Sequence, residues 1–227
     1  MGAAIAGALC AALVAACETE AASGPPNDDA GAVVDDEGGA TDEVVDGGVF
    51  MSHADAGCPV KYAGPRAGTI AESVPRAGGP TIAWSEAEGA LTVDGRFARA
   101  TLGDGEQTQL LRVTGYGLDV PSWAKIKGVV VQLKRQGGPL VVDGNIELWL
   151  DGKPSSRPKY MSTAWPSAVG THHYGQEVDT WGDDLTPEMV SRLGFGTEIW
   201  AKHKPDAGTG PGTAEVESLI MTVWYCD

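Results

Sequence analysis

Basic residues are scarce in this sequence of 227 residues. Only 16 Lys and Arg stand against 31 Asp and Glu, which gives a formal net charge of −15. The largest cluster of basic side chains is Lys202, His203 and Lys204, whereas nucleic-acid binding domains carry extended basic patches. We therefore expect no nucleic-acid partner.

Motifs of common catalytic sites are also absent. The chain has no GxSxG, HExxH, P-loop or strand-linked GxGxxG pattern. His172, His173 and Asp179 are a candidate metal site, but adjacent residues of a strand point to opposite faces, and a solvated loop is the simpler interpretation. We predict no enzyme, no metal and no cofactor. A hydrolase with two carboxylates that no motif marks is the weaker alternative.

The N-terminal apolar run is too short to cross a membrane. Residues 3–16 carry no charge, but a helix of this length covers about 21 Å of a hydrocarbon layer about 30 Å thick. The length, and the small residues Ala15 and Ala16 at its end, are typical of a secretory signal. We predict a signal peptide over residues 1–16.

The end of this run resembles a known processing site. The sequence LVAAC at residues 13–17 resembles the lipobox of bacterial lipoproteins, in which an aliphatic residue and two small residues precede a cysteine. The resemblance implies that Cys17 is lipidated and becomes the first residue of an anchored protein. Glu18, in place of Asp, favours the outer membrane. One departure is the lack of Lys or Arg before the run, and an ordinary secretory signal is the alternative.

An acidic segment follows. Residues 18–57 hold eleven Asp and Glu and no Lys or Arg, while residues 58–227 hold twenty acidic and sixteen basic residues. The net charge therefore divides into −11 and −4. The segment is rich in Gly, Ala and Asp and has too little apolar surface to fold. We expect residues 17–57 to be a lipidated, disordered tether that self-repulsion extends.

Two cysteines bracket the remaining residues, 58–227. In an exported protein, Cys58 and Cys226 read as a disulfide pair, and a metal bound by these two thiols is the weaker alternative. The pair defines one domain that starts near Cys58 and ends near Cys226.

Turn signals recur about every ten residues in this domain, and short β-prone runs lie between them. The turns include Gly137-Gly138-Pro139, Asp143-Gly144 and Asp151-Gly152. Thr186-Pro187 resembles a helix start. We predict an all-β fold, a two-sheet antiparallel sandwich with one short helix near residues 186–193. The strands are expected at 109–116, 128–134, 145–150, 195–202 and 214–225.

Residues 80–227 also resemble β-sandwich modules that recur in secreted bacterial and phage-tail proteins. The likeness rests on TGYGLDVPSWAKIKGVVVQLKR, IELWL, YGQEVDTWGDDLTPEMVSRLGFGTEIWAK and the final TVWYC. It implies a jelly-roll-like scaffold. Such modules share no common chemistry, so the resemblance supports a fold and not an activity.

Two strands are expected to present Trp beside Glu on a solvent face. Alternation places Trp149 with Glu147, and Trp200 with Glu198, opposite the aliphatic side chains. Exposed indoles stack on sugar rings while carboxylates accept hydroxyl hydrogen bonds. These four residues are the candidate ligand site. The alternative is that a loop such as residues 59–80 covers the rings. Trp224 is expected in the core.

Together these features predict a non-enzymatic cell-surface lipoprotein whose sandwich is a binding or structural module of the envelope or of an extracellular assembly. Its expected partners are the membrane, through the lipid anchor, and a glycan or an envelope or extracellular protein. A carbohydrate-binding module is the alternative function.

Overall fold

The chain folds into strands that alternate between two sheets. The computed structural model describes residues 58–78, 81–205 and 207–226, so the predicted signal peptide, Cys17 and the acidic tether lie outside the described residues. Two short helices are Ala87–Ala90, of the 3-10 type, and α1 Pro187–Ser191. The strands in these ranges are β1 Val60–Ala67, β2 Ile70–Val74, β3 Ala98–Leu102, β4 Leu110–Thr114, β5 Lys125–Gln136, β6 Val141–Leu150, β7 Gly170–Tyr174, β8 Phe195–His203 and β9 Gly212–Cys226.

The two sheets have five and four strands. The five-stranded sheet has the order β1-β9-β5-β7, with β3 on another part of β9, and the four-stranded sheet has the order β2-β4-β8-β6. These strands pair antiparallel. The predicted all-β, two-sheet antiparallel sandwich is confirmed.

Apolar side chains that point inward from both sheets form one core. Each aliphatic side chain that leaves water completely stabilises the fold by about 1.5–3 kcal/mol. Fully buried members from the long strands are Val129, Val131, Leu133, Ile146, Leu148, Ile199, Leu219, Met221 and Val223.

The predicted helix is confirmed, although it is shorter than residues 186–193. The Thr186 hydroxyl accepts a hydrogen bond from the Met189 amide (3.2 Å), and Pro187 occupies the first turn. Arg192 is extended and ends the helix. In the described ranges, no helix has the length and apolar character needed to cross a membrane.

Several strands escaped sequence prediction. The segment 59–80 was expected to be a loop, but it forms β1 and β2. β1 is mostly exposed and contains Gly64-Pro65, so it lacks the alternating apolar pattern. Asp143 and Gly144, which read as a turn, lie inside β6, where the register with β8 shifts.

The core position predicted for Trp224 is wrong because β9 contains a bulge. Val216 and Ser218 pair with consecutive residues of β5, so Glu217 is an extra residue in β9. A one-residue bulge moves every later side chain to the opposite face. Val223 therefore points into the core, and Trp224 is half-buried on the outer face.

The predicted disulfide is confirmed. Cys58 and Cys226 are joined, with their Cα atoms 5.5 Å apart and a sequence separation of 168. Both sulfurs are used in this bond, so the alternative of a metal held by the two thiols is wrong. Because Cys58 precedes β1 and Cys226 ends β9, the bond joins the two chain ends of the sandwich beside the β1–β9 pairing.

A buried carboxylate connects the two sheets. Asp143 on β6 forms an ion pair with Arg135 on β5, and both side chains are fully buried. Asp143 also accepts hydrogen bonds from the Met161 amide (2.8 Å), the Trp165 indole N–H (2.8 Å) and the Tyr174 hydroxyl (2.6 Å). These hydrogen bonds and the ion pair offset the free-energy cost of removing the Asp143 charge from water.

Replacement of both cysteines, C58S/C226S, is expected to lower the free energy of unfolding by about 3–5 kcal/mol, because the unfolded chain gains loop entropy. Urea unfolding, followed by circular dichroism and tryptophan fluorescence, measures the loss. Wild-type protein in reductant is the control and should show the same decrease. An unchanged transition midpoint in the double variant would contradict the prediction.

Asp143→Asn is expected to destabilise the fold by about 3–5 kcal/mol, because Arg135 is left buried without a counter-charge. Asp151→Asn is the matched control. Asp151 is 47% exposed and lies 3.9 Å from Arg192, so its loss should cost less than about 1 kcal/mol. Equal effects of the two changes on the unfolding midpoint would argue against the inter-sheet role.

Candidate functional site

The four predicted ligand residues lie together on the outer face of the four-stranded sheet. Glu147 on β6 is directly opposite Glu198 on β8. Trp149 and Trp200 lie on either side of this carboxylate pair, opposite Gly196 and Asn145 respectively. The sequence alternation thus placed all four residues on one face of two neighbouring strands.

Two further residues extend the carboxylate pair across the sheet. Arg112 on β4 pairs with Glu198 on one side and with Glu72 of β2 on the other. Its Nε donates to Glu198 Oε1 (2.6 Å), and its Nη1 donates to Glu72 Oε1 (3.2 Å). Glu72, Arg112, Glu198 and Glu147 therefore form a row across four strands, which we call the Glu–Arg row.

Arginine side chains cover both tryptophan rings. The guanidinium carbon of Arg112 lies 3.8 Å from the Trp149 ring centre, and that of Arg76 lies 3.8 Å from the Trp200 ring centre. The Trp200 indole also packs against Gly144, where a Cβ atom would overlap the ring. Both indoles are half-buried and hold a cation where a sugar would stack.

The alternative, in which residues 59–80 cover the tryptophan rings, is correct for one of the two rings. Arg76 belongs to that segment and lies over Trp200, whereas Trp149 is covered by Arg112 from β4. Sequence reasoning missed Glu72, Arg76 and Arg112. The alternating pattern of β4 (LLRVT) indicates that Arg112 points outward. Its partners on the neighbouring strands, however, can be known only once the strand order is known.

The neighbouring carboxyl groups of Glu147 and Glu198 both have raised pKa values. Burial raises the pKa of Glu147 from 4.5 to about 7, and the nearby Glu198 charge adds to this rise while Arg76 opposes it. Glu198 is 2% exposed. Burial also raises the pKa of Glu198, and the ion pair with Arg112 works against that shift.

Glu147 can hold a proton near neutral pH, but a substrate would have little access to the carboxylate pair. Glu198 is buried, and Arg112 occupies its Oε1 atom. General acid–base catalysis requires a carboxyl group within hydrogen-bond reach of the reacting atoms. A ligand that stacks on Trp149 or Trp200 would first have to displace an arginine.

The two adjacent histidines lie on β7 and not in a loop. His172 points toward the sheet interior and is half-buried, whereas His173 is exposed. Burial and the nearby Arg135 charge lower the pKa of His172. Within residues 58–78, 81–205 and 207–226, no group of three or more His, Cys, Asp or Glu side chains is placed to hold a metal ion.

No family model matches the chain, and no curated protein is similar enough in sequence to count as a match.

Glu147→Gln is expected to remove a pH dependence of stability. The folded state keeps the Glu147 proton up to about pH 7, while the unfolded chain releases it near pH 4.5. The folded state binds more protons in this window, so the free energy of unfolding falls as pH rises through it and then levels off. Water partly screens the side chain, so we assign about 1–2 kcal/mol of the decrease to Glu147.

The measurement is urea unfolding at several pH values from 5 to 8 for the wild type and Glu147→Gln. Glu188→Gln is the control, since Glu188 on α1 is 79% exposed and should leave the wild-type slope intact. A Glu147→Gln protein with the same slope as wild type would show that this carboxyl group titrates normally.

Proposed function

We propose that this chain is an exported surface lipoprotein without enzymatic activity, whose sandwich is a binding or structural module of the envelope or of an extracellular assembly. The observation that carries the proposal is the Cys58–Cys226 disulfide, which joins the start of β1 to the end of β9. Structural disulfides persist in oxidising compartments outside the cytosol. The bond therefore supports export.

The anchoring part of the proposal rests on the sequence before the sandwich. Residues 1–16 act as the signal peptide, and Cys17 receives the lipid that attaches the protein to the membrane, in the outer membrane of the envelope. Residues 17–57 carry eleven Asp and Glu and no Lys or Arg. Self-repulsion of these charges favours an extended tether that holds the sandwich away from the anionic membrane surface.

The Glu–Arg row favours a binding or structural role over catalysis. A hydrolase with two carboxylates needs both groups at the substrate, but Glu198 is 2% exposed and paired with Arg112. This arrangement is typical of an ion-pair network that stabilises an outer sheet face.

A carbohydrate-binding module that uses Trp149, Trp200, Glu147 and Glu198 is the second candidate. The observation in its favour is that the four side chains share one face of β6 and β8. The guanidinium groups on both rings weigh against it. Exchange of an arginine for a sugar ring would have to accompany binding at this face.

Cys17→Ser is expected to release the full chain from the membrane. The wild type, expressed in a Gram-negative bacterium, should incorporate labelled palmitate and sediment with membranes, because acyl chains provide the anchor. The Cys17→Ser chain should be unlabelled and soluble. Cys10→Ser is the matched control, since Cys10 lies in the predicted signal peptide and its loss should leave labelling intact. Label on the Cys17→Ser chain, or a soluble unlabelled wild type, would refute the anchor.

A further inference from the structure

A shallow groove crosses the outer face of the five-stranded sheet, on the side of the sandwich away from the Glu–Arg row. Its volume is about 280 Å³. This is near the lower limit for small-molecule sites, and it suits one or two sugar rings. We call it the Trp224 groove; the lining residues that matter here are Val130, Gln132, His173, Glu177, Thr222 and Trp224.

Trp224 differs from the tryptophans that serve the core. The indole N–H groups of Trp84, Trp165 and Trp181 donate to Gln109, Asp143 and Val129 at 2.8–2.9 Å. The Trp224 N–H is shielded from solvent and has no hydrogen-bond partner among the described residues.

The Trp224 N–H is shielded and out of reach of a molecule in the groove, so the ring can offer a ligand only its carbon surface. Its position on the outer face follows from the bulge at Glu217. A core role therefore does not account for this ring.

A second aromatic ring extends the surface beside Trp224. Tyr62 on β1 is 57% exposed, and its ring centre lies 5.2 Å from that of Trp224, with the planes inclined by 50°. The cation–π contacts found among the described residues fall on other rings. In this respect the pair differs from Trp149 and Trp200.

A glycine shapes the wall of the groove. Gly128 on β5 is paired with Trp224 on β9, and a Cβ atom there would overlap the backbone of Gln176, Glu177 and Asp179. The missing side chain lets this segment lie directly on the sheet. The Val129 amide donates to the Asp179 carbonyl (2.9 Å) and fixes it, which places Glu177 at the groove.

The groove combines an apolar surface with hydrogen-bond donors and acceptors. Gln132 on β5 is paired with His173 on β7, and Thr222 on β9 is paired with Val130 on β5. Amide, imidazole and hydroxyl groups donate and accept hydrogen bonds, and the Glu177 carboxylate accepts them. No Lys or Arg is among the described lining residues, so the groove lacks a counter-charge for a phosphate or an acidic sugar.

We propose that the Trp224 groove binds the pyranose ring of a neutral glycan. The apolar face of the pyranose ring packs on Trp224, the inclined Tyr62 ring lies beside that contact, and the sugar hydroxyl groups form hydrogen bonds with Gln132, His173 and Glu177. This inference deepens the proposed binding role and rests on it. It assigns the ligand to the sheet opposite the one that sequence alternation indicated.

The test measures binding of neutral di- to tetrasaccharides of glucose, galactose, mannose and xylose to the full chain. The chain is purified in a polyoxyethylene detergent, because sugar-headed detergents would compete. Isothermal titration and tryptophan fluorescence report binding. Trp224→Ala should weaken the best binder at least about tenfold, the effect of losing an aromatic contact of ordinary strength.

Matched variants separate the two sheet faces. Trp123→Ala changes a ring that is 75% exposed and is not among the groove residues, so binding should stay at the wild-type level. Trp149→Ala should also bind normally. Gln132→Ala repeats the test without loss of a large ring, in case Trp224→Ala fails to fold by circular dichroism.

Three results would overturn the proposal. They are the absence of binding by every saccharide at millimolar concentration, wild-type affinity in both groove variants, and loss of binding in Trp149→Ala alone. None of them bears on membrane attachment, which the Cys17→Ser experiment decides separately. Failure of the groove and failure of the proposed anchoring are therefore distinguishable.

Discussion

The buried contact between Arg135 and Asp143 constrains how the two sheets of the sandwich are aligned. The hydrophobic effect is non-directional, so a paired polar group adds a constraint on the alignment of two sheets that apolar burial alone does not supply. A buried ion pair requires its partners, and here β5 supplies the guanidinium while β6 supplies the carboxylate. Trp165 and Tyr174 donate to the same carboxylate. The two sheets are thus aligned by polar groups that lose their partners if either sheet slides.

Sequence patterns predicted the parts of the fold that local chemistry controls. Alternation oriented β6 and β8 correctly, Thr186 marked the helix start, and the cysteines at the domain ends formed the expected pair. The errors lie where distant strands decide the outcome. Glu217 is a bulge residue only because of how β9 is paired with β5. The residue pattern of β9 alone does not reveal that pairing, and so it does not reveal which side chains face the core after Glu217.

The candidate site shows the same division between local and distant information. Glu147 and Glu198 were predicted to share a face, and they do. The arginines that cover the two indoles come from positions 76 and 112, far away along the chain. Accessibility of an aromatic ring therefore depends on side chains from distant positions, which place a guanidinium on Trp149 and on Trp200, whereas none of the cation–π contacts among the described residues falls on Trp224.

The bond between Cys58 and Cys226 also determines how mechanical load enters the domain. β1 is an edge strand that hydrogen-bonds only to β9 among the described strands, and edge strands are peeled off most easily by a pull at one end. A force on the chain before Cys58 passes through the sulfur bridge directly to β9. That strand is held by β1, β3 and β5 together, so shear would be shared by the whole sheet instead of opening it strand by strand.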